Sequence, residues 1–384
     1  MTPMQRFMLV VALCAYAGHT GRSLCQQHAQ LQRSRPRLHW LAVVRAALKY
    51  TSIGQLIASS EYLLCLLKPL LVLRLSRLLL WTPRGCRVNR CYGDHKRQRL
   101  DIYGIEGGTN KPVLVFLHGG AWSYGHKWQY ALVGQYLATH GFLVAIVSYR
   151  TFPHGSVVEM VEDIENAVLW VAERSQSLGG DRHRLFVSGH SSGGHVGALA
   201  LVKSALRLAS SDKKTGSRKE IANSVRGFIG LAAPYDISDH YIFESERVMG
   251  PLNGVHGISS MKPAMLGVDN FKKYSPTAQL EEAKHVDFSL PPFYLLHGDN
   301  DTVVPPSSSI KLARVMTEAG QVAEYCEVGD CTHEDIVFAV MGENVTCRAT
   351  VINTLQRIML PAPVHTAEVQ LQPSSAPLSV PPKM

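Results

Sequence analysis

Hydrophobic and polar positions along this chain fall into two periods that change at turn residues. Val113-Leu114-Val115-Phe116-Leu117 and Leu143-Val144-Ala145-Ile146-Val147 are apolar without interruption. Short runs that are apolar on both faces are the pattern of strands covered on both sides of a parallel sheet. Residues 184–188, 225–231, 293–298 and 324–328 read as further strands, and Leu100-Asp101-Ile102-Tyr103 alternates as an edge strand does. Between strands the period lengthens. Val157, Met160, Val161, Ile164, Val168 and Val171 form one stripe of a helix over 156–178, with Glu159, Glu162, Asp163 and Glu165 opposite or in its first turns. Helices are also expected before Thr139, over 194–206 and over 307–319. Strand–helix alternation of this kind implies a mostly parallel sheet with helices on both faces. Residues 236–290 break the alternation and are expected to form a cap.

The catalytic-size unit spans 88–360, and the chain outside it has a different character. Residues 7–17 are a short apolar run behind Arg6, too short to cross a bilayer, which takes about 20 residues. They fit either a signal-peptide core or an uncleaved apolar stretch. Residues up to 40 are otherwise a polar, basic linker. Residues 41–81 are Leu-rich but carry Lys68, Arg74 and Arg77. A basic residue at mid-bilayer costs about 2.5–3.5 kcal/mol. Three of them favour a helical segment lying on or dipping into a membrane over one crossing it. Residues 361–384, rich in Pro and Ser, are expected to be a disordered tail.

Charge sharpens that division. The net charge is +9, but residues 1–99 hold 16 Lys and Arg against Glu61 and Asp94, so the remainder is mildly acidic. The imbalance suits an anionic membrane surface and argues against nucleic-acid binding by the globular part. Eight cysteines stand at 14, 25, 65, 86, 91, 326, 331 and 347. None forms a Cys-x-x-Cys pair or a Cys/His cluster with zinc spacing, so neither a metal nor another cofactor is expected. Cys326 and Cys331 are close enough to pair in an oxidising compartment, and Asn344-Val345-Thr346 is a glycosylation acceptor pattern usable only on a lumenal domain.

Four stretches carry chemistry. Gly189-His190-Ser191-Ser192-Gly193 lies between a strand and a small-residue helix. There a strained turn would lift the Ser191 hydroxyl over the sheet, at a helix N-terminus that favours negative charge. His118-Gly119-Gly120-Ala121-Trp122 ends an earlier strand. Backbone N–H groups of Gly119 and Gly120, or Ala121, together with that of Ser192, would form an oxyanion hole. In His297-Gly298-Asp299-Asn300-Asp301, Asp301 lies farther past the strand end and is expected to orient the base, while Asp299 stabilises its own turn. His333 follows the last strand. The order Ser191, Asp301, His333 is the one this architecture uses. It implies that His333 takes the Ser191 proton, Asp301 holds its tautomer, and an acyl-enzyme forms and is hydrolysed. His118, His126, His190 and His195 are given no catalytic part.

These motifs, with Ser148-Tyr149-Arg150, Pro153 and Gly179-Gly180-Asp181, resemble those of the hormone-sensitive-lipase-like α/β-hydrolases. The stretch Tyr92-Gly93-Asp94, the following Arg99-Leu100-Asp101-Ile102-Tyr103 and the Gly119-Gly120-Ala121-Trp122 variant are similar to the isoprenylcysteine alpha-carbonyl methylesterases. A hydrophobic region directly before the domain adds to that likeness. The resemblance covers roughly 60–340. It implies an α/β-hydrolase fold and hydrolysis of the methyl ester of prenylated C-terminal cysteines, or of another hydrophobic ester, at the endoplasmic reticulum or Golgi membrane. An arylformamidase-like hydrolase, a general lipid carboxylesterase and a non-catalytic scaffold are the other readings.

Overall fold

The computed structural model describes residues 85–210, 220–246, 248–249, 252–253 and 259–360. The apolar run at 7–17, the basic linker, the 41–81 segment, most of the 210–220 loop and the 361–384 tail lie outside the described residues. Among the described residues no helix is long and apolar enough to cross a membrane.

The chain enters through β1 (Cys86–Cys91) and β2 (Arg99–Tyr103), then β3 (Lys111–Leu117), α1 (Ala131–Ala138) and β4 (Leu143–Ser148). It continues with α2 (Val157–Arg174), β5 (Gly180–His190), α3 (Ser192–Ala209) and β6 (Gly227–Leu231). An excursion follows, made of α4 (Ile237–Glu246), the β7 (Val248–Met249) and β8 (Leu252–Asn253) pair, α5 (Met261–Ala264) and α6 (Pro276–Glu282). The chain then returns through β9 (Phe293–Gly298), α7 (Ser307–Glu318), β10 (Ala323–Val328), α8 (His333–Val340) and α9 (Arg348–Met359).

Eight of these strands form one sheet in the order β1-β2-β4-β3-β5-β6-β9-β10. β1 and β2 pair antiparallel, as do β2 and β4, and every pair from β4 to β10 is parallel. The expected edge strand at 100–103 is therefore one place in, because Cys86–Cys91 covers its free side.

The apolar runs earn their central places by burial. β3 and β4 are buried along their whole length. Each Val, Leu or Phe so covered contributes about 1.5–3 kcal/mol. Two clusters of side chains fill the two faces. One lies under α2, α3 and α7; the other lies under α1, α8 and α9. Met261, Met265, Phe271, Tyr274 and Leu280, from the region expected to be a cap, join the first cluster.

The α2 helix starts at a reciprocal cap. The Ser156 hydroxyl accepts from the Val158 N–H while Glu159 accepts from the Ser156 N–H. Such a cap contributes about 1 kcal/mol. Two acids read as solvent-facing on this helix are in fact buried. Asp163 receives the Arg150 guanidinium and the Gln98 amide, and Glu165 receives Arg207. A buried carboxylate needs such partners, and they come from elements far along the chain, which helical period does not register.

Candidate active site

β5, β6, β9 and β10 run in one direction, so their carboxyl ends and the loops after them meet at one edge of the sheet, the usual place for a site in an open α/β sheet. Ser191 stands between β5 and α3 with φ 53° and ψ −126°. A non-glycine residue held there carries strain of order 1–3 kcal/mol. The turn is fixed from outside by the Ser191 N–H donating to the Leu231 carbonyl at 2.9 Å. The flanking glycines are steric requirements. A Cβ on Gly189 would fall 2.5 Å from the Gly193 carbonyl, and one on Gly193 would strike the His118 carbonyl. Ser192 opens α3, where N–H groups have no partner within the helix.

The loop after β3 comes up against this turn. A Cβ on Gly119 would lie 3.2 Å from that of Ser191 and 3.0 Å from the His190 carbonyl. Gly120, Ala121 and Trp122 follow in succession with φ 131°, 44° and 59°. Three long-range bonds hold this backbone. Ser260 donates to the Ala121 carbonyl at 2.6 Å, the Phe152 N–H donates to the Trp122 carbonyl at 2.8 Å, and the Trp122 indole donates to His195 Nδ1 at 3.0 Å. His195 Nε2 in turn donates to the Tyr274 carbonyl at 2.7 Å. His118 stacks on Tyr149 at 4.3 Å, and the Tyr149 hydroxyl donates to its carbonyl.

One expected oxyanion donor is corrected. The Gly119 N–H donates to the Tyr130 hydroxyl at 3.1 Å, which commits it inside the protein. Among the described residues no such bond commits the N–H of Gly120 or of Ala121.

The acid and base sides come from the next two loops. Asp301 Oδ1 accepts the Val303 and Val304 N–H groups, each at 2.8 Å. Its Oδ2 lies 2.7 Å from His333 Nδ1 and 3.3 Å from His297 Nε2. Burial pushes this carboxyl up. The neighbouring His333 charge and the hydrogen bonds from His297 and His333 outweigh burial and hold it well below the usual carboxylate range. The contact with Asp301 uses His333 Nδ1, and Nε2 is the other ring nitrogen. Asp299 is exposed and accepts the Cys331 N–H at 3.2 Å; it steadies the neighbouring loop and does not touch His333.

His190 joins the two sides. Its Nε2 donates to the His333 carbonyl at 3.0 Å, and its ring centre lies 4.8 Å from that of His333. His333 is thereby docked on the residue preceding Ser191. Burial pushes His190 and His118 down to about 3 and His195 to about 4, so all three are neutral at ordinary pH. Sequence reasoning did not anticipate Tyr130, His190, Ser260 and Tyr274 as supports. Their partners lie 11, 143, 139 and 79 positions away, and no motif spans such gaps.

A cavity of about 490 Å³ lies nearby, with Ile242, Phe243, Pro305 and Ile310 among its apolar walls and Lys311 and Asp236 among its polar ones. His240, also in its wall, packs on Trp122 at 6.2 Å. Among the described residues no group of three or more His, Cys, Asp and Glu side chains is arranged to hold a metal ion.

The sheet order, the strained serine turn and the acid–histidine contact define an α/β-hydrolase. More particularly, a family model described as BD-FAE matches residues 100–316, more than half of the chain, and the chain belongs to that family. It is similar to the isoprenylcysteine alpha-carbonyl methylesterase ICME of Arabidopsis thaliana, at 31% identity over 251 residues, 64% of this chain and 56% of that protein. It is also similar to esterase LipC of Mycobacterium tuberculosis (strain ATCC 25618 / H37Rv), at 29% identity over 242 residues, 62% of this chain and 56% of that protein. The chain thus spans about half the length of the curated relatives it matches. Among solved structures, esterase B from Lactobacillus rhamnosis superposes with a TM-score of 0.58 at 17% identity, over 78% of this chain and 95% of that one, a likeness of fold.

Proposed function

We propose that this protein is a serine carboxylesterase that hydrolyses the methyl ester of prenylated C-terminal cysteines, with Ser191 as nucleophile, His333 as general base and Asp301 as the orienting acid. The observation that carries the reading is the 2.7 Å contact of His333 Nδ1 with Asp301, on a His333 docked by His190 beside the strained Ser191 turn. In the first step His333 Nε2 takes the Ser191 proton as Oγ attacks the ester carbonyl. The N–H groups of Gly120, Ala121 and Ser192 receive the oxyanion. Methoxide leaves with the proton from His333, and water resolves the acyl-enzyme by the same route in reverse.

The likeness to isoprenylcysteine methylesterases supports the substrate class. The basic, Leu-rich segment at 41–81 supports association with an endoplasmic reticulum or Golgi membrane, where a prenyl chain partitions. Removing residues 1–81 should release the protein from the membrane pellet; retention in the pellet would refute the anchor.

The deciding assay is methanol release from farnesylcysteine methyl ester, beside a short-chain nitrophenyl ester and N-formylkynurenine, with Ser191→Ala as control. Preference for the prenylated ester is expected. Turnover of the nitrophenyl ester alone would move the substrate to general lipid esters, and of formylkynurenine alone to an arylformamidase-like reaction.

A further inference from the structure

Two buried sulfurs stand beside the base without a part in its chemistry. Cys331 ends the loop after β10, two residues before His333, and is fully buried. The Asp299 carboxylate takes its N–H at 3.2 Å and the Asn300 N–H donates to its carbonyl at 3.2 Å. A Cβ on Gly298 would strike the Cys331 carbonyl, so this loop has little room to shift. Cys347 precedes α9 and is 2% exposed. The two sulfurs lie 2.9 Å apart, and all of α8 falls within the 16 positions between them. Sulfurs in a disulfide are about 2.03–2.05 Å apart, so a movement of less than about 1 Å separates this contact from a bond. Cys326, the partner that proximity in sequence suggested, turns instead to Glu324 and Arg357.

The same loop carries a second, independent mark. Asn344 and Thr346 of the acceptor pattern Asn344-Val345-Thr346 are both exposed, between α8 and Cys347. Glycosylation at such a pattern needs an accessible surface loop, and it occurs in the secreted and lumenal setting where disulfides also persist.

We infer that Cys331 and Cys347 form a disulfide as the chain folds in the lumen of the secretory pathway, where Asn344 on the same loop is glycosylated. The oxidant is a disulfide, either oxidised glutathione or that of a thiol–disulfide oxidoreductase. One cysteine thiolate attacks it, forming a mixed disulfide and releasing one thiol. The second cysteine sulfur attacks the first, expelling the other thiol. Two electrons and two protons pass from the protein to the oxidant. The bond would fasten the start of α8, and with it His333, to α9. It also places the catalytic domain on the lumenal side. That placement narrows the proposed substrate to a small prenylcysteine methyl ester able to cross the bilayer, since the tail of a cytosolic protein does not reach the lumen. The inference does not rest on the esterase reading, since pairing and glycan are measured without substrate.

The test uses the full chain expressed in cultured eukaryotic cells and lysed in N-ethylmaleimide. Mass spectrometry of unreduced peptides should find the Cys331 and Cys347 peptides joined and unalkylated, separating only after reduction. Endoglycosidase treatment should speed migration on a gel, and Asn344→Gln should remove that part of the shift. Asn300-Asp301-Thr302, which fits the same pattern, is left unaltered so that the difference reports Asn344. N-ethylmaleimide adducts on both cysteines before reduction would overturn the inference, and so would an Asn344→Gln chain that migrates like the parent.

Discussion

The Ser191 turn is shaped by its own backbone and by glycines where a Cβ would collide, whereas Asp301 and His333 are held by side-chain hydrogen bonds between loops 32 positions apart. On the first side the decisive features are a φ of 53° at Ser191, glycines where a Cβ would collide, and a run of three left-handed residues from Gly120 to Trp122. On the second side one residue of the loop before His333, Asp330, takes a left-handed φ of 51°, and the acid's place depends on the Val303 and Val304 N–H groups and on its contacts with His297 and His333. A site built in the first way tolerates few substitutions near it but keeps its shape when a side chain is removed. A site built in the second way keeps its fold when a donor is changed but loses the orientation of its base.

Removing the proposed nucleophile should have the largest effect. Ser191→Ala is expected to lower kcat by about 10⁶-fold, the scale seen when a triad nucleophile is removed elsewhere, and to abolish labelling by a fluorophosphonate. Its denaturation midpoint should not fall, since the alanine leaves the backbone bonds in place; undiminished labelling would show that another residue attacks.

The acid side should respond next, and with a contrast between neighbours. Asp301→Asn replaces the acceptor at His333 and is expected to cost up to about 10⁴-fold in kcat, as loss of the tautomer-holding acid does. Asp299→Asn touches only the Cys331 N–H and should change kcat by less than about tenfold. Kinetics in which Asp299→Asn is the worse variant would transfer the orienting role to it.

Much of this arrangement was written in local sequence, and what was not has a physical reason. The apolar runs at 113–117 and 143–147 became β3 and β4 because a strand covered on both faces leaves a contiguous signature. The glycines around Ser191 were legible from their five-residue pattern, although only Gly189 meets its constraint inside that pattern and Gly193 meets the His118 carbonyl of another loop. β1 was not recognised as a strand. Cys-Arg-Val-Asn-Arg-Cys has no apolar alternation, and its place depends on the free edge of β2. Gly119 could not be told from Gly120 as a donor, because the difference is a tyrosine hydroxyl brought over by the start of the next helix. The burial of Asp163 and Glu165 and the approach of the Cys331 and Cys347 sulfurs were equally invisible, being settled by elements that meet only when the sheet is assembled.

Trp122 tests whether the loop geometry needs its distant tether. Trp122→Phe keeps most of the ring but removes the N–H that donates to His195 Nδ1. The buried acceptor left behind costs about 1–3 kcal/mol. The expected result is a lower denaturation midpoint and a kcat reduced about tenfold, with KM little changed, because the oxyanion donors bind the transition state more than the ester. A large rise in KM at constant kcat would mean that Trp122 contacts the substrate.

The last effect concerns protons. His118, His190 and His195 have folded-state values of about 3, 3 and 4, depressed by burial, whereas in the unfolded chain each titrates near 6.5. Between those values the unfolded state binds more protons than the folded one. Stability is therefore full above pH ~6.5 and falls as pH drops below it, by roughly 1.4 kcal/mol per pH unit for each histidine. Asp301, depressed in the folded state, adds its own loss only further down, as pH falls through the carboxylate range. The midpoint of thermal unfolding should thus hold steady from pH 8 to about pH 7 and decline toward pH 5, more shallowly in His195→Gln, which has no proton to take up on unfolding. A midpoint that rises as pH falls through that interval would mean that these histidines are charged in the folded protein, and the neutral Trp122–His195–Tyr274 chain that supports the oxyanion loop would have to be redrawn.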